Sequence, residues 1–214
     1  MTRTNWIVAA AVAVLTIGFT LAVYPSLPER IPTHWNAAGE IDGWGSRPWA
    51  FLMPGILIGM LGLFLALPHL SPKHFEIDTF RKTYAFIVLL VTVLFACIHL
   101  LTLIPPLGFS IRIEKAMMGG MMLFFILLGN VLGKVQRNFF VGVRTPWTLA
   151  SDRVWTETHR LSAYLFVATG VLGLLAILVG LPFYLPLIVL GVAVVVMIGF
   201  SLVRYKQLER RGEL

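Results

Sequence analysis

Residues 83–104 read TYAFIVLLVTVLFACIHLLTLI. The stretch has 22 residues and no Asp, Glu, Lys or Arg. A bilayer core is crossed by about 20 apolar residues of helix, and lipid offers no partner to an open backbone group. This segment therefore reads as a transmembrane helix. Five more stretches qualify, at 6–24, 50–69, 116–133, 160–180 and 183–203. The whole chain has 214 residues, of which 58% are hydrophobic and 13% charged. A soluble domain of that size cannot bury so much apolar surface. The expected fold is an all-α integral membrane protein with six transmembrane helices. Arg3 before the first run resembles a signal peptide. The run is long, however, and Tyr24-Pro25-Ser26-Leu27-Pro28 is a poor small-residue cleavage site, so an uncleaved helix is expected.

Basic residues orient the bundle. Arg30, Arg47, Arg112 and Lys115 lie in one set of connections, and the other 13 of the 17 Lys and Arg lie in the opposite set. The positive-inside rule places that richer set, and both termini, in the cytoplasm. The net charge of +7 then reflects cytoplasmic loops, and with no nucleic-acid-binding motif no direct nucleic-acid contact is expected. Residues 1–70 read as a two-helix unit with an extracellular Pro- and Trp-rich loop at 25–49. Residues 71–214 read as a four-helix unit with a cytoplasmic loop at 134–160.

Few polar groups lie inside the spans. The single cysteine, Cys97, excludes a disulfide framework and reads as a small buried hydrophobe. His99 reads as a bond to a neighbouring helix backbone. No acidic residue sits at mid-membrane, which argues against a proton- or sodium-coupled transporter. Gly55 with Gly59, and Gly129 with Gly133, are spaced for close helix approach. The Met-rich run at 117–122 reads as adaptable packing.

The outer loop reads YPSLPERIPTHWNAAGEIDGWGSRPW, residues 24–49. Its prolines restrict the backbone to extended or turn conformations, and Asn36, Gly39, Asp42, Gly43 and Gly45 are turn formers. Trp35, Trp44 and Trp49 suit the headgroup region. A compact cap on the outer leaflet is expected. His34, Trp35, Asn36 and Asp42 are its candidate binding residues. His34, Glu40 and Asp42 lack metal-ligand spacing, so His34 is expected to anchor the loop by hydrogen bonding and no metal is expected.

The inner loop gathers more chemistry. Thr145-Pro146 is a helix-start signal, Ser151-Asp152 is a second, and that helix should continue into the fifth span. Arg153 and Glu157 can pair at i,i+4, and Trp155 and His159 share a face. Phe139 and Phe140 could anchor in the interface. Basic residues here hold topology and meet anionic headgroups. Arg144 beside helix-start amides also makes an anion site for a phosphate or carboxylate.

The segment GKVQRNFFVGVRTPWTLASDRVWTETHR, residues 133–160, resembles the signature of the SdpI family of bacterial membrane proteins. The matching positions are Arg137, Asn138, Gly142, Arg144, Thr145, Pro146, Trp147, Thr148, Trp155, His159 and Arg160. Pro28, Pro32, His34 and Asn36, followed by Gly39, Asp42 and Gly43, are similar to a small domain of unknown function often found in front of it. The resemblance implies a multi-pass protein of the bacterial plasma membrane. It also implies immunity to a secreted killing peptide met on the outer side, with a cytoplasmic transcriptional repressor as a further partner. Candidate partner-binding residues are Arg137, Asn138, Gly142, Arg144, Thr145, Trp147, Trp155, His159 and Arg160. A rival expectation is a phosphate-bearing lipid or nucleotide at Arg137, Asn138, Arg144 and His159, in an enzyme or transporter where His159 serves as acid or base. No nucleophile motif, carboxylate pair or cofactor signature accompanies it.

Overall fold

A computed structural model describes residues 2–36, 40–182 and 184–214. The chain runs through α1 (Thr2–Val23), β1 (Arg30–Trp35), β2 (Ile41–Ser46), α2 (Leu52–Leu70), α3 (Arg81–Leu103), α4 (Ile113–Leu132), α5 (Pro146–Ala150), α6 (Asp152–Leu178) and α7 (Tyr184–Arg210). Among the described residues, six helical segments are long and apolar enough to cross a membrane. The shortest, α4, has 20 residues, and at 1.5 Å per residue that is close to the hydrocarbon thickness. Large apolar side chains such as Ile7, Leu15, Leu63, Leu175 and Val195 are exposed around the helices. In water such surface would drive aggregation. In lipid it is the solvated face. The protein is a multi-pass helical membrane protein.

The chain forms two compact units, Met1–Leu65 with Ala85–Met121, and Ala66–Tyr84 with Met122–Leu214. The first unit holds a feature that the all-helical expectation lacks. β1 and β2 form an antiparallel hairpin, pairing Arg30 with Ser46, Ile31 with Gly45 and Pro32 with Trp44. Register irregularities follow at His34 and Trp35. A two-stranded ribbon has only edge strands, so Pro32 can sit in one without breaking a ladder. The hairpin closes through Asn36 N–H donating to Glu40 O at 2.8 Å, and Gly39 lies outside the described residues. Leu27, Ile31 and Ala50 bury against Leu103, with Phe19, Val23 and Tyr24 around them. Those contacts make the loop a packed cap.

Inside this unit His99 is buried, and its Nε2 lies 2.7 Å from Thr20 Oγ1. The Thr20 hydroxyl donates to Thr16 O at 2.7 Å, so the His99 Nε2–H is the donor to Thr20. The partner is thus a side chain of α1, where a helix backbone was expected. Helix backbones are already bonded to themselves, whereas a threonine oxygen keeps a free lone pair. Cys97 also departs from expectation: it is exposed.

In the second unit, small residues let α4 and α6 meet. A Cβ on Gly129 would lie 2.8 Å from Ala163 O, and one on Gly170 would lie 2.5 Å from Met122 O. Met122, the last residue of the Met-rich run, fills the space beneath Gly170 and Gly173 and is fully buried. Gly55, Gly59 and Gly133 face open space, contrary to the expected close approach. The spacing permits contact only where the helix turns that face to a neighbour.

Candidate functional site

The α4–α6 connection is built by side chains that satisfy its own backbone. After Leu132 the helix unwinds, and Asn138 becomes the centre of the turn. Asn138 Nδ2 donates to Gln136 O at 2.8 Å and to Val141 O at 3.0 Å. Its Oδ1 accepts from the N–H groups of Phe140 at 2.8 Å and Val141 at 2.7 Å. An amide side chain has two donors and two lone pairs, so all of its capacity is used. Asn138 is wholly buried.

Gly142 follows with φ +115, a conformation open to glycine and strained for other residues. It presents Val143 N–H to His159 Nε2 at 3.0 Å. Because that amide can only donate, Nε2 is the acceptor. The ring proton therefore sits on Nδ1 and donates to Trp155 O at 2.9 Å. The ring is fixed as one neutral tautomer and is wholly buried. The i,i+4 spacing stacks Trp155 on it, with ring centroids 4.0 Å apart and planes 18° apart. Trp155 Nε1 donates to Val135 O at 2.7 Å, tying α6 back to the end of α4.

The next turn is a capping box. Thr145 Oγ1 accepts from Thr148 N–H at 3.2 Å, and Thr148 Oγ1 accepts from Thr145 N–H at 2.9 Å. Pro146 fills the first helical position. Thr145 Oγ1 also meets Ser201 Oγ of α7 at 3.0 Å. Ser151 caps α6 by accepting from Val154 N–H at 3.5 Å, a long contact. Both helix starts therefore fall where the sequence signals them.

Arginines frame the turn. Arg137 donates through Nη1 to Leu149 O at 2.9 Å, and its Nε lies 2.7 Å from Asp152 Oδ1. Its guanidinium sits 5.0 Å from the Phe75 ring centre, and Phe75 packs on Phe139 at 4.3 Å. Phe139 thus rests on an aromatic neighbour. Glu157 pairs with Arg153 at 3.2 Å, as its spacing predicts, and also with Arg204 of α7, whose Nη2 donates at 2.9 Å. Arg153 reaches Glu213 at 2.5 Å. Trp147 is half-buried. Arg144 is exposed and donates to Phe139 O. Arg160 is exposed at a shallow depression of about 440 Å³ with Asp152 and Glu157.

The candidates therefore separate into two sets. Asn138, Thr145, Trp155 and His159 come together as a buried knot, with Gly142 in the turn and Arg137 at its rim. Arg144, Trp147 and Arg160 lie outside it. Arg144 donates to Phe139 O, and Thr145 Oγ1 takes the Thr148 N–H, one of the amides an anion site beside Arg144 would use. The buried residues Thr148 and Ser201, and the partners Asp152, Glu157 and Arg204, belong to the same architecture. Thr148 stands three residues after the Thr145 cap, a spacing that could have signalled it, whereas Ser201 carries no local signal. In the other loop His34 Nδ1 lies 2.5 Å from Asp42 Oδ1 across the hairpin, and Asn36 Nδ2 donates to Glu40 at 2.9 Å. Trp35 sits at the end of β1, half-buried. Among the described residues, no group of three His, Cys, Asp or Glu could hold a metal ion.

Among the described residues, two buried side-chain atoms lack a hydrogen-bond partner: Arg137 Nε, which still ion-pairs with Asp152, and Thr158 Oγ1. Thr158 Oγ1 lies on α6 beneath the knot with its residue fully buried. Valine has the same shape without the hydroxyl. Thr158→Val is expected to stabilise the protein by about 1 kcal/mol, since an unpaired buried hydroxyl costs about 1–3 kcal/mol. Thermal unfolding of the purified protein in detergent reads this as a raised midpoint, and a lowered midpoint would show that the hydroxyl has a partner.

A helical membrane bundle whose α4–α6 connection is held by its own polar side chains is the class this geometry defines. Residues 134–203 match the SdpI/YfhL protein family, and residues 11–58 match the domain of unknown function DUF1648. The chain is 27% identical over 188 residues to "Immunity protein SdpI" of Bacillus subtilis (strain 168), spanning 86% of this chain and 87% of that one. It is 29% identical over 153 residues to an uncharacterized protein of Archaeoglobus fulgidus, spanning 61% of this chain and 80% of that one. No solved structure matches. The chain is thus similar to the SdpI family along its 134–203 segment and to DUF1648 ahead of it.

Proposed function

We propose that this protein protects a cell against a secreted killing peptide that acts on its membrane. The observation that carries the reading is likeness to an immunity protein along 86% of the chain. The protein would lie in the plasma membrane with both termini and the 134–160 segment in the cytoplasm, an orientation supported by the basic residues gathered on that side. The hairpin cap would then face the peptide.

In this reading the knot at 134–160 holds α4, α6 and α7 in one arrangement and is not a ligand pocket. The buried polar groups of Asn138, Thr145, Thr148 and His159 already have partners inside the protein. The phosphate-ligand alternative is disfavoured for the same reason: His159 offers neither a free lone pair nor a free proton to a substrate. A cytoplasmic partner such as a repressor would meet the exposed Lys134, Arg144 and Arg160 instead.

The test is survival of a sensitive bacterium expressing the protein, challenged with a panel of membrane-active killing peptides. Protection against at least one peptide, beyond an empty-vector control, is expected. No protection at full membrane levels would reject the reading. Arg144→Ala and Arg144→Lys should both accumulate and protect like wild type. The exposed bond to Phe139 is worth only about 0.5–1.5 kcal/mol.

A further inference from the structure

The first compact unit contains a long apolar slot that the knot does not explain. Leu94, Cys97 and Leu101 of α3, with Ile104 just past its end, and Ala116 and Gly120 of α4 line a groove of about 380 Å³. No charged residue lines it. From Leu94 to Ile104 the wall is about 15 Å long at 1.5 Å per residue. Its far side is low because of the α4 residues: a Cβ on Gly120 would meet nothing within 4 Å. Small residues of this kind let another chain approach a helix backbone closely.

A second space of about 360 Å³ opens at the same end of these helices. Pro105, which lines it, directly follows Ile104 of the groove, and Glu114 precedes Ala116 by two residues. Its walls also include Trp35, Glu40 and Phe109, and none of its lining residues is Lys or Arg. Arg112 and Lys115 flank Glu114 in the chain but line neither space. The apolar slot thus has beside it, along the same two chain segments, a space lined by two acidic residues and two aromatic ones.

The geometry points to this slot as the docking site for the apolar segment of a killing peptide that carries a cationic group at the end of that segment. The inference rests on the immunity reading and names the kind of partner and where it binds. Charge selects the occupant. A phospholipid with an acyl chain in the groove would set its phosphate against Glu40 and Glu114. A lysine, an arginine or a free amino terminus beside an apolar run would meet those carboxylates favourably, at headgroup depth where the dielectric is lower than in water.

The experiment uses full-length protein in cells, with a biotinylated cationic peptide from the panel against which wild type protects. A photo-crosslinking benzoylphenylalanine replaces Leu101 in the groove or, as a control, the lipid-exposed Leu172 of α6. Crosslinking at least fivefold stronger at 101 than at 172 is expected. It should fall severalfold when Glu40→Gln and Glu114→Gln are combined. Gly120→Leu, whose Cβ would have nothing within 4 Å, projects a side chain toward the slot and should accumulate normally and raise peptide sensitivity about tenfold. Equal crosslinking at both positions would overturn the proposal, as would full protection by Gly120→Leu. Strong crosslinking at 101 that ignores both carboxylates would also overturn it, leaving the slot a lipid-like surface. Failure of wild type to protect against any peptide rejects the immunity reading itself, an outcome separate from loss of the groove signal alone.

Discussion

Gly142→Ala is expected to remove most folded protein from the membrane. A methyl there would overlap His159 Nε2, and φ of +115 is strained for any residue with a side chain. His159 cannot retreat, because Nδ1 is bonded to Trp155 O and its ring is stacked on the indole. Either the turn opens and Val143 N–H loses its acceptor, or the ring leaves its place. Backbone strain of about 1–3 kcal/mol adds to about 1–3 kcal/mol for the orphaned amide. Against a total stability on the order of 5–15 kcal/mol, that is a large fraction. Membrane levels by immunoblot and thermal unfolding in detergent measure it, and wild-type values for both would show that the turn relaxes freely.

Asn138→Ala should be comparably severe. Truncation leaves Phe140 N–H and Val141 N–H without acceptors, and Gln136 O and Val141 O without this donor. At about 1–3 kcal/mol for each buried group left unpaired, the two amides alone cost about 2–6 kcal/mol. Asn138→Asp is the sharper variant. It keeps the acceptor but faces two carbonyl oxygens with a carboxylate, so it should not rescue the fold. If Asn138→Asp is as stable as wild type, the turn is held by something other than this amide.

The membrane spans and much of the knot are legible from local signals. Charge-free runs of about 20 residues have one stable solution in lipid, so the helices follow directly. The Thr145-Pro146 and Ser151 caps, the Arg153–Glu157 pair and the Trp155–His159 stack are all contacts within one turn, and one-turn contacts are visible as spacing. The rest depends on long-range pairing. Nothing near Asn138 tells whether its amide faces a ligand or its own backbone. The bond from Val143 to His159 joins residues 16 apart, and the Glu157–Arg204 pair joins residues 47 apart. Arg144 drew attention because it sits amid polar neighbours, yet those neighbours turn inward and leave it at the surface. The hairpin was hidden because its Pro and Gly residues read equally well as turns, and its two strands gain their partner only from each other. Gly170 and Gly173 gave no paired spacing with Gly129, since they lie on a different helix.

The measurement that tests this account most directly is protection per folded molecule, comparing wild type, Asn138→Ala and Arg144→Ala under one killing peptide. Peptide survival would be divided by the amount of protein that remains folded in mild detergent. The account predicts that Asn138→Ala loses protection in proportion to its lost folded protein, and that Arg144→Ala loses neither. If Arg144→Ala folds at wild-type levels yet fails to protect, then 134–160 acts through an exposed side chain, and its role as an internal knot is contradicted.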